Sequence, residues 1–337
     1  MLEGFGCVGG QSCRMKPILT IDVGGCFGFS PDGRQIAVAK KAVGKKMGKV
    51  LDVATGEEVV FIDRLPANTR YIAYAPNGRF LIFSAAREVI SVCDPQSGAI
   101  VERIKTGPDV EIRDVALVPD SERFVRVTSA ELAEIDIVTG QVIRTLDVGS
   151  AVGDQLPRYD FAAFSPDGKY LAVAWNCGVT RRYVSIADWP AVEKVTHVWS
   201  RKFDWAQLTS DIKFTPGGGS LVRSANIGIV DLVPIAGTDL DSPPTPWIDR
   251  SRPRVGLPGA LDLISTSIDF SPDGDLYVYS CRDAFELCRW PSTERLGEWR
   301  APGKNPTIFN AGFSPTGEYL AIAADRATLV YRVADLV

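Results

Sequence analysis

The chain has 337 residues, of which 45% are hydrophobic, and a formal net charge of −4 at pH 7. A chain of this size and composition can bury a large core, and its acidic balance disfavours a dedicated nucleic-acid-binding protein, which would usually be basic. No apolar stretch of about 18 residues is present, so we expect no membrane span. The seven cysteines include no Cys-x-x-Cys pair, which predicts reduced thiols and a cytoplasmic location.

The chain begins with a Gly-rich segment, residues 1–15, that we interpret as a disordered lead-in. It has no continuous apolar region behind a basic start and is a poor secretory signal. Either Met1 or Met15 is a possible natural start. A segment of strand character follows at residues 17–22, before the first repeat of the chain.

A short motif then recurs seven times, with Phe-Ser-Pro-Asp-Gly as its fullest form. Its prolines stand 43 to 56 residues apart, at Pro31, Pro76, Pro119, Pro166, Pro216, Pro272 and Pro315. A self-similar period in this range is typical of propellers and solenoids.

Each copy of the motif has the composition of a β-hairpin turn. Apolar, aromatic and β-branched runs of strand length flank it, as in residues 161–164 and 170–174. Pro fixes φ, Asp caps the local backbone and Gly takes a positive φ. A third strand then ends at a second turn, as in residues 49–56, and a fourth strand follows it.

Four strands in each of seven repeats predict an all-β fold, a seven-bladed β-propeller of four-stranded antiparallel blades spanning residues 16–337 as a single domain. The seventh repeat has only three strands before Val337. We therefore expect residues 17–22 to supply its outer strand, so that the N-terminal strand closes the last blade and no edge is left open.

The strands that end in Phe-Ser-Pro-Asp-Gly, the Tyr-Leu-Ala-Val-Ala type of second strand and the Asp-x-x-Thr-Gly turn together resemble WD40-type repeats. The resemblance covers about residues 16–337 and implies a propeller. The Trp-Asp pair of that family is replaced here, for example by Leu51-Asp52 and Ile135-Asp136, and its Gly-His pair is absent. TolB-like and lactonase-like propellers fit the same pattern, and the fold alone does not give the function.

No catalytic, metal-binding or cofactor-binding motif stands out. The single histidine, His197, lies in a predicted outer strand of the fourth blade, where a surface role is expected. Ser30 and Ser314 precede β-turns and lack the Gly-x-Ser-x-Gly spacing of a nucleophile elbow. We therefore predict no catalytic residues, no metal and no cofactor, although single residues from several blades could still form a site in the central channel.

Partner-binding residues are expected on the face opposite the Ser-Pro-Asp-Gly turns. Arginine and aromatic side chains are typical of protein-binding hot spots. The candidates on this face and in the long segment 231–267, which carries Trp247, are Arg70, Arg87, Tyr159, Trp175, Arg181, Arg182, Trp205, Trp247, Arg250, Arg252, Arg282 and Arg326.

The sequence thus favours a bacterial, cytoplasmic, non-catalytic interaction scaffold that presents one loop face to a protein partner. It could also be one subunit of a larger assembly, with segment 231–267 as the docking element. A lactonase-like or lyase-like enzyme, or a small-ligand binder that uses the central channel, is the alternative. Converging Glu, Asp, His or Arg side chains with an ordered metal or water in the channel would favour that alternative, whereas a lining of Gly and small apolar residues beside an Arg- and Trp-rich loop face would favour the scaffold.

Overall fold

The computed structural model describes residues 16–40, 48–63, 65, 69–85, 89–106, 110–148, 156–177, 181–192, 195–202, 209–225, 229–235, 246–249, 266–281, 283–301 and 307–337. The predicted lead-in, residues 1–15, lies outside this part. Among the described residues no helix is long and apolar enough to cross a membrane.

The described strands form seven antiparallel sheets of four strands each, in a β-propeller arrangement. The N-terminal strand is β1 (Leu19–Ile21). The first three sheets comprise β2 (Gly25–Phe29), β3 (Gln35–Lys40), β4 (Gly48–Asp52) and β5 (Glu58–Ile62); β6 (Thr69–Tyr74), β7 (Leu81–Ala85), β8 (Val89–Cys93) and β9 (Ile100–Lys105); and β10 (Ile112–Leu117), β11 (Arg123–Thr128), β12 (Leu132–Asp136) and β13 (Val142–Leu146).

The next three sheets follow the same order along the chain. They comprise β14 (Arg158–Phe164), β15 (Tyr170–Cys177), β16 (Arg181–Asp188) and β17 (Val195–Lys202); β18 (Thr209–Phe214), β19 (Ser220–Ala225), β20 (Ile229–Pro234) and β21 (Pro246–Asp249); and β22 (Thr266–Phe270), β23 (Leu276–Cys281), β24 (Ala284–Arg289) and β25 (Arg295–Arg300). His197 lies in β17, the outer strand in which it was predicted.

The last sheet joins the two ends of the chain. It contains β26 (Ile308–Phe313), β27 (Tyr319–Ala324), β28 (Thr328–Arg332) and, at its edge, β1. Leu19 pairs with Val330 and Ile21 with Thr328. The strand before the first repeat therefore completes the sheet of the last repeat, as its sequence position predicts. A short 3₁₀ turn, Val333–Asp335, follows β28.

The first strands of the sheets, β2, β6, β10, β14, β18, β22 and β26, are called the inner strands. Contacts between sheets involve these strands: β2 packs on β6, β10 on β14, β14 on β18, β18 on β22, and β26 on both β22 and β2. Apolar clusters fill the spaces between neighbouring sheets, such as the one formed by Ala172, Val184, Ile212 and Leu221. This packing holds the inner strands side by side around a common axis.

The Ser-Pro-Asp-Gly motifs form the turns between first and second strands, as predicted. In the fourth sheet Ser165 Oγ donates to Asp167 and accepts from the Tyr170 N–H, and Gly168 has a φ of 68°. The Asp-x-x-Thr-Gly turns are built in a related way: the N–H groups of Ala54 and Thr55 both donate to Asp52. All these turns lie at the same end of the sheets, called the turn face. The opposite end is called the rim face.

Cys26, Cys93, Cys177 and Cys288 are buried. Burial raises the pKa of the Cys93 thiol to about 12. They pack in the apolar core, which is the role that their scattered positions predict.

Candidate functional site

The centre of the ring carries a cluster of ionisable side chains, called here the channel cluster: Tyr71, Asp114, Asp211, Lys213 and Asp269. They come from the inner strands β6, β10, β18 and β22. Tyr71 and Asp211 belong to sheets that are not neighbours, yet their side chains interact electrostatically, as do those of Asp114 and Lys213. Groups on non-adjacent sheets can interact in this way only across the axis of the ring, so the cluster lines a central channel.

Side chains alternate along each inner strand with a period of two residues, so the position of a residue in the strand decides whether it belongs to the channel cluster. The residue two positions before each Ser-Pro-type turn is small in most repeats, as at Gly28, Ala73 and Gly312. There is no room for a side chain at Gly28, where a Cβ would lie 2.8 Å from the carbonyl oxygen of Ile72. Lys213 and Asp269 occupy the equivalent positions in β18 and β22, so this part of the channel is lined by charge.

Two carboxylates of the channel cluster join neighbouring inner strands. The Asp269 carboxylate accepts from Lys213 Nζ at 2.6 Å and from the Phe313 N–H at 2.8 Å. Asp114 accepts from the Ala162 N–H at 3.1 Å and from its neighbour Val115. Inner strands of different sheets share no backbone ladder, so these side chains satisfy backbone donors that would otherwise remain unpaired.

Asp211 differs from the other two carboxylates. Within the described part of the chain its carboxylate accepts no hydrogen bond from another inner strand, and its only backbone donor is the adjacent Ile212 N–H. Burial raises its pKa to about 7, with Asp114 and Asp269 adding to the shift and Lys213 opposing it. Burial likewise raises the pKa of Asp114 to about 6. The channel therefore holds carboxyl groups that change protonation near neutral pH.

A second cluster surrounds the mouth of the channel on the rim face, where the inner strands begin. We call it the arginine rim: Arg70, Glu111, Arg113, Arg158, Asp160 and Arg182. Glu111 lies between two guanidinium groups, 3.5 Å from Arg70 and 3.2 Å from Arg113. Arg70 and Arg158 are exposed. Within this cluster four arginines outnumber two carboxylates, in a chain that is negative overall.

Asp160 is the electrostatic centre of this rim. Its Oδ2 accepts from Asn176 Nδ2 at 2.8 Å. Burial raises its pKa, and the Asn176 hydrogen bond and the charges of Arg113, Arg182 and Arg158 oppose the shift. Arg182 is 8% exposed, and burial lowers its pKa while Asp160 opposes that shift.

The predicted partner-binding residues other than Arg182 divide into three groups. Arg70 and Arg326 are exposed on the rim face, as expected. Tyr159 and Trp175 are 4% and 2% exposed and pack in the core between the third and fourth sheets. Trp175 stacks on Tyr183 at 4.1 Å and donates to Ser185 Oγ, so both rings pack the core and are not displayed at the surface.

The structure describes only the backbone, or nothing, of the remaining candidates. Arg181 belongs to β16 and Trp247 to β21, the outer strand of the fifth sheet, but their side chains are outside the described residues. Arg87, Trp205, Arg250, Arg252 and Arg282 lie wholly outside them. Segment 231–267 thus contributes part of β20, the outer strand β21 and the first two residues of β22, and the role of the rest as a docking element remains a prediction.

The outer perimeter offers a different surface. A groove of about 690 Å³ runs between the first and second sheets, with Phe61 and Asp63 on one side and residues 97–103 on the other. Apolar side chains are exposed on the three outer strands β5, β9 and β13; they are Val59, Phe61, Val101, Val142 and Ile143. This surface was not predicted from the sequence.

The described residues contain no group of three or more His, Cys, Asp and Glu side chains that could hold a metal ion. The channel cluster accordingly has the chemistry of a polar, proton-exchanging lining, with an ammonium group among its carboxylates. The arginine rim has the chemistry of an anion-binding surface.

Comparisons with known proteins support the fold. No family model matches the chain, and no curated protein matches it significantly. Among solved structures, the chain is similar to one titled Kuenenia stuttgartiensis Hydrazine Synthase, at 16% identity and a TM-score of 0.71. The similarity covers 93% of this chain and 96% of the other. At this identity the likeness extends to the propeller fold alone.

Proposed function

We propose that the seven sheets are the blades of one WD40-like propeller domain, residues 16–337, and that the protein is a non-catalytic scaffold that binds an acidic protein partner at its arginine rim. The observation that carries this proposal is the placement of Arg70, Arg113 and Arg158 on three consecutive inner strands at one mouth of the channel. Arginine is enriched at protein interfaces, and its planar guanidinium binds carboxylates in a fixed geometry.

Electrostatic complementarity is the reason to expect an acidic partner. A positive patch on a negative protein directs a negative partner to one face and disfavours binding elsewhere. Nucleic acid carries the same sign, but its binders usually present a much larger basic surface. A cytoplasmic location and a role as one subunit of a larger assembly belong to the same proposal.

Charge reversal on the two faces tests it. Arg70→Glu with Arg158→Glu reverses the rim, and Arg34→Glu with Lys169→Glu makes the same change in net charge at exposed positions of the turn face. We expect quantitative co-purification from the native host to lose an acidic protein with the rim variant and to keep it with the turn-face variant. Equal retention by the two variants, or equal loss, would remove the rim from the proposal.

A small-ligand binder that uses the central channel is the second candidate, and the channel cluster favours it. Lys213 among three carboxylates could bind a polar molecule, and Asp211 could accept or donate a proton near neutral pH. The name of the hydrazine synthase structure adds nothing to this candidate, because that likeness concerns the fold. Binding of a host metabolite that is lost in Lys213→Met but kept in Arg70→Glu would establish the channel as the site.

A further inference from the structure

Arg182 occupies an unusual position for a cation. It lies in β16, the third strand of its sheet, paired with Asn176 on β15 and with Arg201 on β17. Its strand neighbours Val184 and Ile186 point to the same side of the sheet, into the apolar cluster shared with the fifth sheet. Only 8% of the residue is exposed.

Within the described part of the chain, the guanidinium of Arg182 has no hydrogen-bonded partner. Among the described residues it makes no hydrogen bond and no ion pair within 4 Å, and Asp160 interacts with it only at longer range. Asp160 is itself held by Asn176. Guanidinium carries five N–H donors, and the Arg182 nitrogens are not among the fully enclosed side-chain atoms that lack a partner in the described residues. These donors are therefore open to a partner that comes from outside the chain.

The surrounding charge specifies the sign of that partner. Arg113 and Arg158 lie within electrostatic reach of the same Asp160 carboxylate. Asp160 and Glu111 are the carboxylates described there, so three guanidinium groups face two acidic groups. Arg158 has no ion-pair partner within the described ranges. A further cation would be repelled, and an anion would be attracted.

We infer that Arg182, with Arg158 beside it, forms a binding site for a single oxyanion, a carboxylate or a phosphate, at the edge of the arginine rim. The planar fork of a buried guanidinium matches two oxygens of such a group and binds them with two parallel hydrogen bonds. This inference rests on the proposed function in one respect: an acidic side chain of the partner is one source of the oxyanion. A free phosphate or carboxylate in solution is the other.

Calorimetric titration tests the site directly. Sodium phosphate and sodium acetate are titrated separately into the intact chain at constant ionic strength. We expect one saturable site for at least one of the two anions. Its affinity should fall at least tenfold in Arg182→Gln and stay within twofold in Arg34→Gln, which removes an exposed arginine from the turn face. Equal affinity in wild type and Arg182→Gln would overturn the inference.

Thermal unfolding separates a binding role from a structural one. In anion-free buffer, we expect Arg182→Gln to unfold at the same temperature as wild type or higher, because it removes a partly desolvated charge that makes no hydrogen bond or ion pair with the described residues. Arg182→Lys keeps the charge without the fork and should fold while binding the anion more weakly. Lower unfolding temperatures for both variants, with unchanged anion binding, would show that Arg182 serves only the fold.

Co-purification distinguishes the two sources of the oxyanion. If the partner supplies the carboxylate, Arg182→Gln should reduce retention of the acidic protein. If a free anion is the ligand, Arg182→Gln should lose phosphate or acetate binding and retain the protein normally. Failure of the proposed function has a different signature, since Arg70→Glu, which lies outside the Arg182–Arg158 site, would then leave retention unchanged whatever Arg182→Gln does.

Discussion

Lys213 Nζ donates to Asp269 Oδ1 at 2.6 Å and thereby joins the inner strands of the fifth and sixth sheets. Both side chains are partly exposed to the channel. Burial alone would lower the pKa of the Lys213 ammonium, but Asp269, Asp211 and Asp114 together raise it above its usual value. Lys213 is therefore the cation that makes three neighbouring carboxyl groups compatible with one channel.

Replacing Lys213 by Met should destabilise the fold by about 1–3 kcal/mol, because the carboxylates of the channel cluster lose their counter-charge. This destabilisation is smaller than the cost of breaking a fully buried ion pair, because water reaches the channel. Urea unfolding of Lys213→Met, Asp269→Asn and the double variant measures the effect. The double variant should lose less than the sum of the two single changes.

Lys169→Met is the control for this experiment, since Lys169 pairs with Asp167 on an exposed turn. The free energy of unfolding of Lys169→Met should be close to that of wild type. Equal losses for Lys213→Met and Lys169→Met would show that Lys213 has no special role in holding the inner strands together.

Asp211 should make the stability of the fold depend on pH between 5 and 8. Its folded pKa of about 7 exceeds the ordinary value of 3.8, so its contribution is present at low pH and is lost as the pH rises through 7. The groups that face it are Lys213, Asp114 and Asp269. In Asp211→Asn this dependence is removed, so the variant should gain stability relative to wild type as the pH is raised from 5 to 8.

Urea midpoints at several pH values between 5 and 8 check this prediction. Asp167→Asn is the control: the hydrogen bond from Lys169 lowers the pKa of Asp167 to about 2, so its contribution is lost only as the pH falls towards 2. The urea midpoint of Asp167→Asn should therefore differ from that of wild type by the same amount at every pH tested. A constant difference between Asp211→Asn and wild type would contradict the raised pKa.

The buried pair Arg223–Asp231 should matter more to stability than any surface pair. Arg223 Nη1 and Asp231 Oδ2 are 2.8 Å apart, and both side chains are fully buried. Asp231→Asn removes the carboxylate charge from this fully buried pair, which should cost about 3–5 kcal/mol. Arg79→Ala, which breaks an exposed pair with Glu122, should cost less than about 1 kcal/mol. Thermal unfolding compares the two, and similar losses would refute this ranking.

Gly98 should be the least replaceable of the turn glycines compared here. Its φ is 72°, and a Cβ would lie 2.4 Å from the carbonyl oxygen of Phe61 on the neighbouring sheet. Gly98→Ala should therefore cost more than the ~1 kcal/mol expected from positive φ alone. Gly218→Ala is the matched control, because Gly218 also has a positive φ, 67°, and a Cβ there would meet only Pro166 Cδ, at 3.9 Å. Equal unfolding midpoints for the two variants would mean that the second sheet can shift away from the first.

Much of the architecture could be read from the sequence because it rests on local chemistry. The Pro-Asp-Gly turns and the alternating apolar strands specify each hairpin with few residues, and the incomplete last repeat indicates the pairing of Leu19 with Val330. Tyr159 and Trp175 were expected on a face because they stand near the ends of strands. Burial between two sheets decided their position, and that is a tertiary effect that strand position alone does not reveal.

The channel cluster and Arg182 could not be assembled from the sequence, since their members come from repeats far apart in the chain. One signal was available: Lys213 and Asp269 stand where other repeats carry Gly or Ala. Polar residues at a normally small position of the inner strand indicate the axis of the ring. The burial of Arg182 has no such signal, because it depends on how the fourth and fifth sheets pack.

Site-specific photo-crosslinking in the native host tests the arginine rim most directly. A benzophenone amino acid is placed at the position of Arg158 on the rim, of Arg34 on the turn face, or of Val142 on the outer perimeter, all of which are exposed. The account predicts a covalent adduct with an acidic protein from position 158 and none from positions 34 and 142. An adduct from position 34 or 142, with none from 158, would contradict it.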